Sequence, residues 1–350
     1  MLRWACLLSV GVLGVLSLGV AVPAAAQQTA DDAGGALACR RAAATQLRFK
    51  IDNDVATGRD HGYSSGLMLE AAARMPAHDG LSALPEEGWL CPVWRLLGGG
   101  RLPTETVSFR IDQNLYTPEN SAARYLITND RPYAAVLMAG LAATTLSNGQ
   151  WIRNELRLGW VGPSVRGESS QNAVHKLIDA PRFRGWAHQL SDEPLFELAQ
   201  YRVKRWQPGG AESDVLGHWG ARLGTLQTSA YAGVEWRFGP DLQDDGGSAP
   251  LRPGANEPSE VLWHAPGDVR WTTFLTAGAR LVAWDLTLDG NVGHDSHSVG
   301  RRPLVFDAGA GVTMRWESWA LQLMWVLRSR EFDEQRELPS YGSLQISYRF

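Results

Sequence analysis

After residue 26 the sequence lacks any apolar run of the ~20 residues that a membrane-spanning helix requires, so a helical membrane protein is excluded. It also lacks an excess of positive charge, because 33 Lys and Arg stand against 37 Asp and Glu. That balance argues against a nucleic-acid-binding protein. Cysteine is scarce, with three residues in the chain. The roughly 320 residues after residue 26 could form two soluble domains or one large barrel, and composition must decide between these two classes.

The first 26 residues have the pattern of a secretory signal peptide. Arg3 precedes an apolar run from Trp4 to Val22, and the small residues Pro23-Ala24-Ala25-Ala26 follow. No charged stop-transfer flank follows the run, as a membrane anchor would need, so we expect cleavage after Ala26 and export. Residues 27–44 are small and polar and are predicted to form a disordered leader.

The cysteines permit at most one disulfide in the mature chain. Cys6 leaves with the signal peptide, whereas Cys39 and Cys91 enter an oxidising compartment. A Cys39–Cys91 disulfide and two separate thiols both remain open, because a count of two does not choose between them.

What the sequence has in abundance is tryptophan and glycine, with 15 Trp, 37 Gly and a mean hydropathy of −0.21. A polar average with many aromatic residues is typical of a transmembrane β-barrel, which has a polar lumen, an apolar outer face and aromatic girdles. Segments of about ten residues with alternating character support this interpretation. The fold class predicted for residues 45–350 is all-β, a transmembrane antiparallel barrel of about 12 strands.

Thirteen alternating runs are candidates for these strands, and one or two of them are expected to merge or to be loops because an even number is typical of bacterial barrels. They begin near Gln46, Ser64, Thr104, Tyr133, Ile152, Phe196, His218, Ala230, Trp271, Val282, Phe306, Ala320 and Ser343. The last run ends on Phe350, and it resembles the terminal strand by which outer-membrane barrels are recognised for assembly.

Two segments interrupt the strand pattern: residues 79–101 are predicted to form a loop, whereas residues 168–179 are predicted to form a short helix. Ser169 or Ser170 is the expected N-cap. The i, i+3 and i+4 spacing places four residues on one face of that helix. They are Gln171, Val174, His175 and Ile178.

Several polar clusters lie beside the predicted strands, and each taken alone is ordinary turn chemistry. In chain order they are Asn53-Asp54; Asp60 with Gly62-Tyr63-Ser64-Ser65-Gly66; Gln113 with Leu115-Tyr116-Thr117-Pro118; Asp130-Arg131-Pro132-Tyr133-Ala134; Leu158-Gly159 with Val161-Gly162-Pro163; Gly167-Glu168 with Gln171 and His175; and Gly185-Trp186 with Gln189-Leu190 and Glu193-Pro194. Together, in this order, they resemble the lipid A 3-O-deacylase family of the outer membrane. The similarity continues weakly to the final strand and covers nearly all of the mature chain.

Two positions depart from the family pattern. Ser64-Ser65-Gly66 stands where Thr-Asn-Gly is expected, so Ser64 keeps a hydroxyl and Ser65 lacks an amide. Ala135 stands where a glycine is expected.

The resemblance implies a twelve-stranded barrel in the outer membrane of a Gram-negative bacterium, with the active site between the barrel wall and a short helix in an extracellular loop. The implied activity is that of a carboxylic ester hydrolase, which removes the acyl chain at the 3-position of lipid A on the outer-leaflet side. Lipopolysaccharide is then the substrate and outer-membrane lipids are the surroundings. We expect a monomer and no nucleic-acid partner.

Ester hydrolysis needs an activated water and a group that holds the developing oxyanion. His175 is the expected base, because a neutral imidazole can accept a proton from water near pH 7. Asn53 and Asp54 are expected to bind calcium, a hard cation that prefers oxygen ligands.

The remaining candidate site residues have supporting roles. Ser64 is expected to position substrate or water, since no Gly-x-Ser-x-Gly elbow surrounds it. Gln171, one turn before His175, is expected to orient the histidine or the water. Glu168 and Glu193 are both candidates for the acidic partner of the site.

Three other functions stay open at this point. A passive porin-like barrel would have a wide lumen and no reason to gather polar groups around a loop helix. An outer-membrane phospholipase would use similar calcium and base chemistry on another lipid. A barrel that retains the fold but has lost activity is the third alternative, suggested by the change at Ser64-Ser65.

Overall fold

Twelve antiparallel strands close into one barrel in the computed structural model. The structure describes residues 46–54, 62–74, 104–178, 182–207, 212–240, 242, 246–248 and 269–350. Its strands are β1 (Gln46–Asn53), β2 (Gly62–Arg74), β3 (Thr104–Thr117), β4 (Ala134–Ser147), β5 (Gln150–Val161), β6 (Glu193–Trp206), β7 (Ser213–Gly224), β8 (Gln227–Phe238), β9 (Arg270–Asp285), β10 (Leu304–Trp316), β11 (Trp319–Arg328) and β12 (Ser340–Arg349). The predicted signal peptide, the leader, the predicted loop at residues 79–101 and both mature cysteines lie outside the described residues.

Each strand pairs with its neighbours in sequence, and β1 pairs with β12 to close the barrel. The predictions of an all-β barrel and of about twelve strands are therefore confirmed. The two runs predicted to begin near Trp271 and Val282 merge into β9, because that strand continues for 16 residues along both β8 and β10.

Alternation along the strands separates a polar lumen from an apolar outer face. In β1, the side chains of Arg48, Lys50 and Asp52 are buried, whereas Phe49 and Ile51 on the opposite face are partly exposed. Large apolar side chains are exposed on the outer face of most other strands. Examples are Leu69, Phe109, Ile111, Leu137, Leu158, Trp160, Phe196, Trp236, Trp271, Leu275, Phe306, Trp319 and Trp325. Such a band is what contact with lipid hydrocarbon requires.

Buried ion pairs fill much of the lumen. Arg157 lies 2.7 Å from Asp112 and 2.9 Å from Glu197, and Arg222 lies 3.2 Å from the same Glu197. Further pairs are Arg48–Glu70, Arg153–Glu70, Arg110–Glu155, Arg237–Asp214 and Arg328–Asp307. Because each charge has an opposite charge beside it, the lumen can hold these groups away from bulk water. A wide passive channel would instead leave them hydrated.

Within the ranges given above, two α-helices lie between strands, and both are at the end of the barrel opposite to the start of β1, here called the upper end. Helix α1 (Gly167–Ile178) lies between β5 and β6, and α2 (Leu286–Asp289) follows β9. The predicted helix is thus confirmed. The expected Ser169 or Ser170 cap is wrong, because the helix has already begun and the amide of Ser170 donates to the carbonyl oxygen of Arg166.

Among the described residues, none of the helices has the length and apolar character needed to cross a membrane.

Candidate active site

Three polar side chains lie in the outward-facing rows of β1, β2 and β3, where apolar residues are otherwise the rule. Asn53 continues the row of Phe49 and Ile51, and it pairs across the sheet with Ser65. Gln113 lies between Ile111 and Leu115 on the outer face of β3. A polar group facing hydrocarbon is costly unless something covers it, and here α1 provides the cover.

Helix α1 lies against the outside of the barrel wall and encloses a small pocket with it. The pocket is lined by Asn53, Ser65, Leu67, Gln113, Leu115, Ser170, Gln171, Val174 and His175. About 10 Å³ of it is open to water-sized molecules, which is close to the space that one water needs. The predicted place of the site, between the wall and a loop helix, is therefore where the structure gathers these polar groups.

The start of α1 is pressed against the wall at a glycine. A Cβ on Gly167 would lie 2.4 Å from the Cβ of Ala135 and 2.9 Å from the ring of Trp186. Only a residue without a side chain fits this distance, so Gly167 determines how closely the helix approaches. Ala135, the departure from the family pattern on β4, is fully buried in this contact and is accommodated by the wall.

The predicted helix face points into the pocket. Gln171 and His175 are only 2% and 3% exposed, whereas Glu168 on another side of α1 is exposed to solvent. Their positions one turn apart bring an amide and an imidazole to the same small space.

Two hydrogen bonds hold the amides that border the pocket. The indole nitrogen of Trp186 donates to Oε1 of Gln171 at 2.8 Å. Nε2 of Gln113 donates to the carbonyl oxygen of Val165 at 3.2 Å, which ties β3 to the segment that leads into α1. Both side chains therefore have a fixed orientation before any substrate binds.

An aromatic cluster of Tyr133, Phe183 and Trp186 packs beside α1. Tyr133 lies 5.1 Å from Trp186 between ring centroids, and Phe183 makes edge contacts with both Tyr133 and His175. Gly185 lets the chain pass over Tyr133, since a Cβ there would lie 2.6 Å from the ring. Burial raises the pKa of Tyr133 to about 12, so its hydroxyl stays neutral. These contacts hold Trp186 and the imidazole in place, and the cluster itself packs on Leu115 and Ala135 of the wall.

The Asp130-Arg131-Pro132-Tyr133 cluster makes contacts on both the lumen side and the outer side of the wall. Arg131 points into the lumen at the upper end of the barrel, here called the barrel mouth. There it donates to Thr287 at 2.9 Å and lies 3.4 Å from Glu331. Asp130 accepts hydrogen bonds from the amides of Glu119 and Arg131, while its desolvation raises the pKa of the carboxyl group. The cluster thus anchors the β3–β4 loop and places Tyr133 against Trp186, on the outer side of the wall.

Not all predicted site residues come together. Glu193 faces inward at the top of β6, where it accepts hydrogen bonds from the Asn291 side chain and from the amides of Val292 and Gly293. Neither Glu193 nor Glu168 lines the pocket. The Ser64 side chain lies outside the described residues, while Ser65 beside it does line the pocket.

Asp54 follows Asn53 at the upper end of β1 and is almost fully buried. A carboxylate beside an amide oxygen is a donor set that fits a hard cation. Within the described part of the chain, no group of three or more His, Cys, Asp or Glu side chains is arranged to hold a metal. Calcium bound at Asn53 and Asp54 would therefore take most of its six to eight ligands from water, carbonyl groups or substrate.

Ser65, Gln113, Ser170 and Trp186 were not assigned roles from the sequence. A signal for the first two was present, because Gln113 interrupts an outward apolar row and Ser65 is opposite Asn53. Trp186 could not be found in this way, since its contact with Gln171 joins separate segments of the loop.

The model of the family of outer membrane protein LpxR matches residues 12–350 of the chain. The structure of LpxR from Salmonella typhimurium superposes with a TM-score of 0.67 at 19% identity, covering 87% of this chain and all of that chain. KdgM porin and the β domain of the Bordetella autotransporter BrkA each cover 87% of this chain, and 99% and 98% of their own. Their TM-scores of 0.37 and 0.43, at 6% and 10% identity, are too low to inform function. No curated protein sequence matches the chain.

Proposed function

The chain belongs to the outer membrane protein LpxR family, an outer-membrane lipid A deacylase family, and we propose that it hydrolyses the acyl ester at the 3-position of lipid A with His175 as the base. The proposal includes calcium at Asn53 and Asp54 and a site that faces the outer leaflet. The observation that carries it is a buried histidine in a pocket on the outer wall of the barrel, where polar side chains gather among apolar ones.

The location of the pocket suits a lipid substrate. A lipid in the bilayer meets the barrel from outside, and the exposed apolar residues Leu69 and Ile111 lie on the same outer face below the pocket. An acyl chain can lie along this face while its ester reaches the polar groups under α1. A site in the lumen would require the chain to leave the hydrocarbon, which costs ~0.8 kcal/mol for each CH₂ group.

The reaction follows from the groups in the pocket. An imidazole nitrogen of His175 takes a proton from a water, whose oxygen forms a bond to the ester carbonyl carbon. The carbonyl oxygen gains negative charge, and the side-chain amides of Asn53 and Gln171, which border the same pocket, are the proposed donors to it. The bond to the sugar oxygen then breaks, and the imidazolium returns its proton to that oxygen. The products are a free fatty acid and a sugar hydroxyl.

Calcium bound by Asn53 and Asp54 would supply Lewis-acid polarisation of the ester and would offset the charge of nearby phosphates. Asp54 is the carboxylate of this pair, and the Asn53 side chain has to share its oxygen with the metal and its NH₂ group with the substrate. Ser65, directly opposite Asn53, is placed to orient a water or the sugar.

Buried, paired charges on the lumen side of the described strands support an enzyme over a passive barrel, whose lumen groups would be hydrated. A phospholipase would use the same pocket, and a comparison of lipopolysaccharide with glycerophospholipid as substrates separates it from a lipid A deacylase.

The test uses the purified barrel in detergent with lipopolysaccharide or with glycerophospholipid, followed by mass spectrometry of the products. We expect release of the 3-linked acyl group from lipid A, dependent on calcium, and no release by His175→Ala. His188→Ala is the matched control, because His188 is an exposed histidine that bonds to the carbonyl of Arg124. Release from glycerophospholipid alone would replace the proposed substrate, and no release from either lipid would contradict the proposal.

A further inference from the structure

The contact between Trp186 and Gln171 determines which way the glutamine amide points. An indole N–H can only donate a hydrogen bond, so the Gln171 atom at 2.8 Å must be the carbonyl oxygen. The reversed amide would set two N–H donors against each other. The NH₂ group is therefore at the other edge of the planar amide, directed away from the indole nitrogen of Trp186.

That NH₂ group is buried and has no hydrogen-bond partner among the described residues. Buried donors are nearly always paired in folded proteins, and leaving one unpaired costs free energy. Gln171 borders the same pocket as His175 and Asn53. A donor held without a partner beside the proposed base is ready to meet an acceptor that arrives with the substrate.

We infer that Trp186 is a positioning residue that holds the Gln171 amide with its NH₂ group toward the pocket, where this group donates to the ester carbonyl oxygen as negative charge develops. The inference rests on the proposed function and assigns Trp186 a part in it. Donors oriented in advance stabilise an oxyanion best, because no reorganisation is needed during the reaction.

The surroundings of Trp186 are rigid enough for this role. The side chain is 2% exposed, its ring packs on Tyr133, and its edge closes on Gly167 at the start of α1. The indole thus has little freedom to turn away from Gln171, and the same ring that supports the helix also orients the amide.

The first test replaces Trp186 by Phe, which keeps an aromatic ring and removes the N–H group. We expect kcat to fall roughly 10- to 100-fold, the size typical of losing a residue that orients a catalytic group, with KM nearly unchanged. Trp284→Phe is the matched control, because its indole donates at 2.7 Å to the carbonyl of Thr225, outside the pocket. Unchanged kcat in Trp186→Phe, or an equal fall in Trp284→Phe, would overturn the inference.

A double-mutant cycle separates positioning from a general loss of packing. If Trp186 acts through Gln171, then adding Trp186→Phe to Gln171→Ala should lower kcat by less than twofold. If the two losses multiply, Trp186 acts by another route and the inference fails.

A measurement without substrate keeps this result distinct from the proposed function. The indole ¹⁵N–¹H resonance of Trp186 is identified as the signal that Trp186→Phe removes, and it should shift when Gln171 is replaced by Ala. An unchanged resonance would show that the hydrogen bond is absent, even for an active enzyme. An inactive wild type with the expected shift would leave the amide orientation supported and contradict the proposed function instead.

Discussion

The lumen and the pocket under α1 are both buried, yet they differ in whether their polar groups are paired within the protein. In the lumen, Arg157 lies between Asp112 and Glu197, so each charge is neutralised by the protein itself. In the pocket, Gln171 has its carbonyl oxygen bonded to Trp186 and its NH₂ group left for another acceptor. Polar groups that pair with one another stabilise the fold, whereas polar groups left to bind a substrate serve catalysis. Substitutions in the two regions should therefore separate stability from activity.

The largest effect is expected for His175→Ala. Without the base, kcat should fall roughly 10³- to 10⁴-fold, near the upper limit for general-base catalysis. The midpoint of thermal unfolding should stay close to that of wild type, because the barrel closes through strand pairs in which His175, on α1, takes no part. Kinetics and unfolding measured on the same preparation check both parts. A variant with more than a tenth of wild-type kcat would contradict the assignment.

The second prediction concerns the lumen. Arg157→Met keeps much of the side-chain volume and leaves two buried carboxylates short of a partner, so the free energy of unfolding should fall by about 3–5 kcal/mol. The kcat of the folded fraction should remain that of wild type. Arg302→Met is the control, because the Arg302–Asp333 pair is exposed and should contribute less than about 1 kcal/mol. Loss of activity in a fully folded Arg157→Met variant would remove the contrast between the two regions.

The third prediction tests the proposed metal site. Asp54→Ala removes the buried carboxylate and should slow hydrolysis by an amount equivalent to about 3–4 kcal/mol of transition-state stabilisation. The residual rate should no longer respond to a chelator. Asp333→Ala, at the exposed pair in the barrel mouth, serves as the matched carboxylate control. A near-normal rate with full calcium dependence in Asp54→Ala would place the metal elsewhere.

The smallest effect is expected at the barrel mouth, at Glu331. Burial alone would raise its pKa, but Arg328, Arg131 and Arg280 together hold it below the usual 4.5. A carboxylate with a lowered folded pKa stabilises the protein fully above about pH 4.5 and loses this contribution as pH falls through the folded pKa.

Glu331→Gln should therefore lower the free energy of unfolding by about 1.5–3 kcal/mol near pH 7, the size of hydrogen bonds to charged groups. The difference from wild type should shrink below pH 4.5. Unfolding curves of both proteins between pH 3 and 7 measure it, and a difference independent of pH would show that the charge of Glu331 has no part.

Much of the barrel could be predicted from the sequence, because alternation is a local property. Runs such as that of Ala320 match strand β11, and the helix around His175 was placed within one residue of its ends. The break predicted between the runs at Trp271 and Val282 is wrong, because β9 continues through Gly278, which is paired on both sides, and the length of this 16-residue strand depends on the register with both neighbours.

The site was harder to predict, because burial and partners depend on distant segments. The helix spacing correctly placed Gln171 and His175 on one face, since that follows from 3.6 residues per turn. The choice between Glu168 and Glu193 could not be made from sequence. The structure places one in solvent and the other on the Asn291 loop, a contact between residues nearly 100 positions apart.

The most direct test of the proposed deacylase activity is mass spectrometry of lipid A from bacterial outer membranes that contain the wild type, His175→Ala, or the wild type after calcium removal. We expect loss of the single acyl group at the 3-position only with wild type and calcium. Unchanged lipid A in membranes that contain folded wild-type barrel and calcium would contradict it.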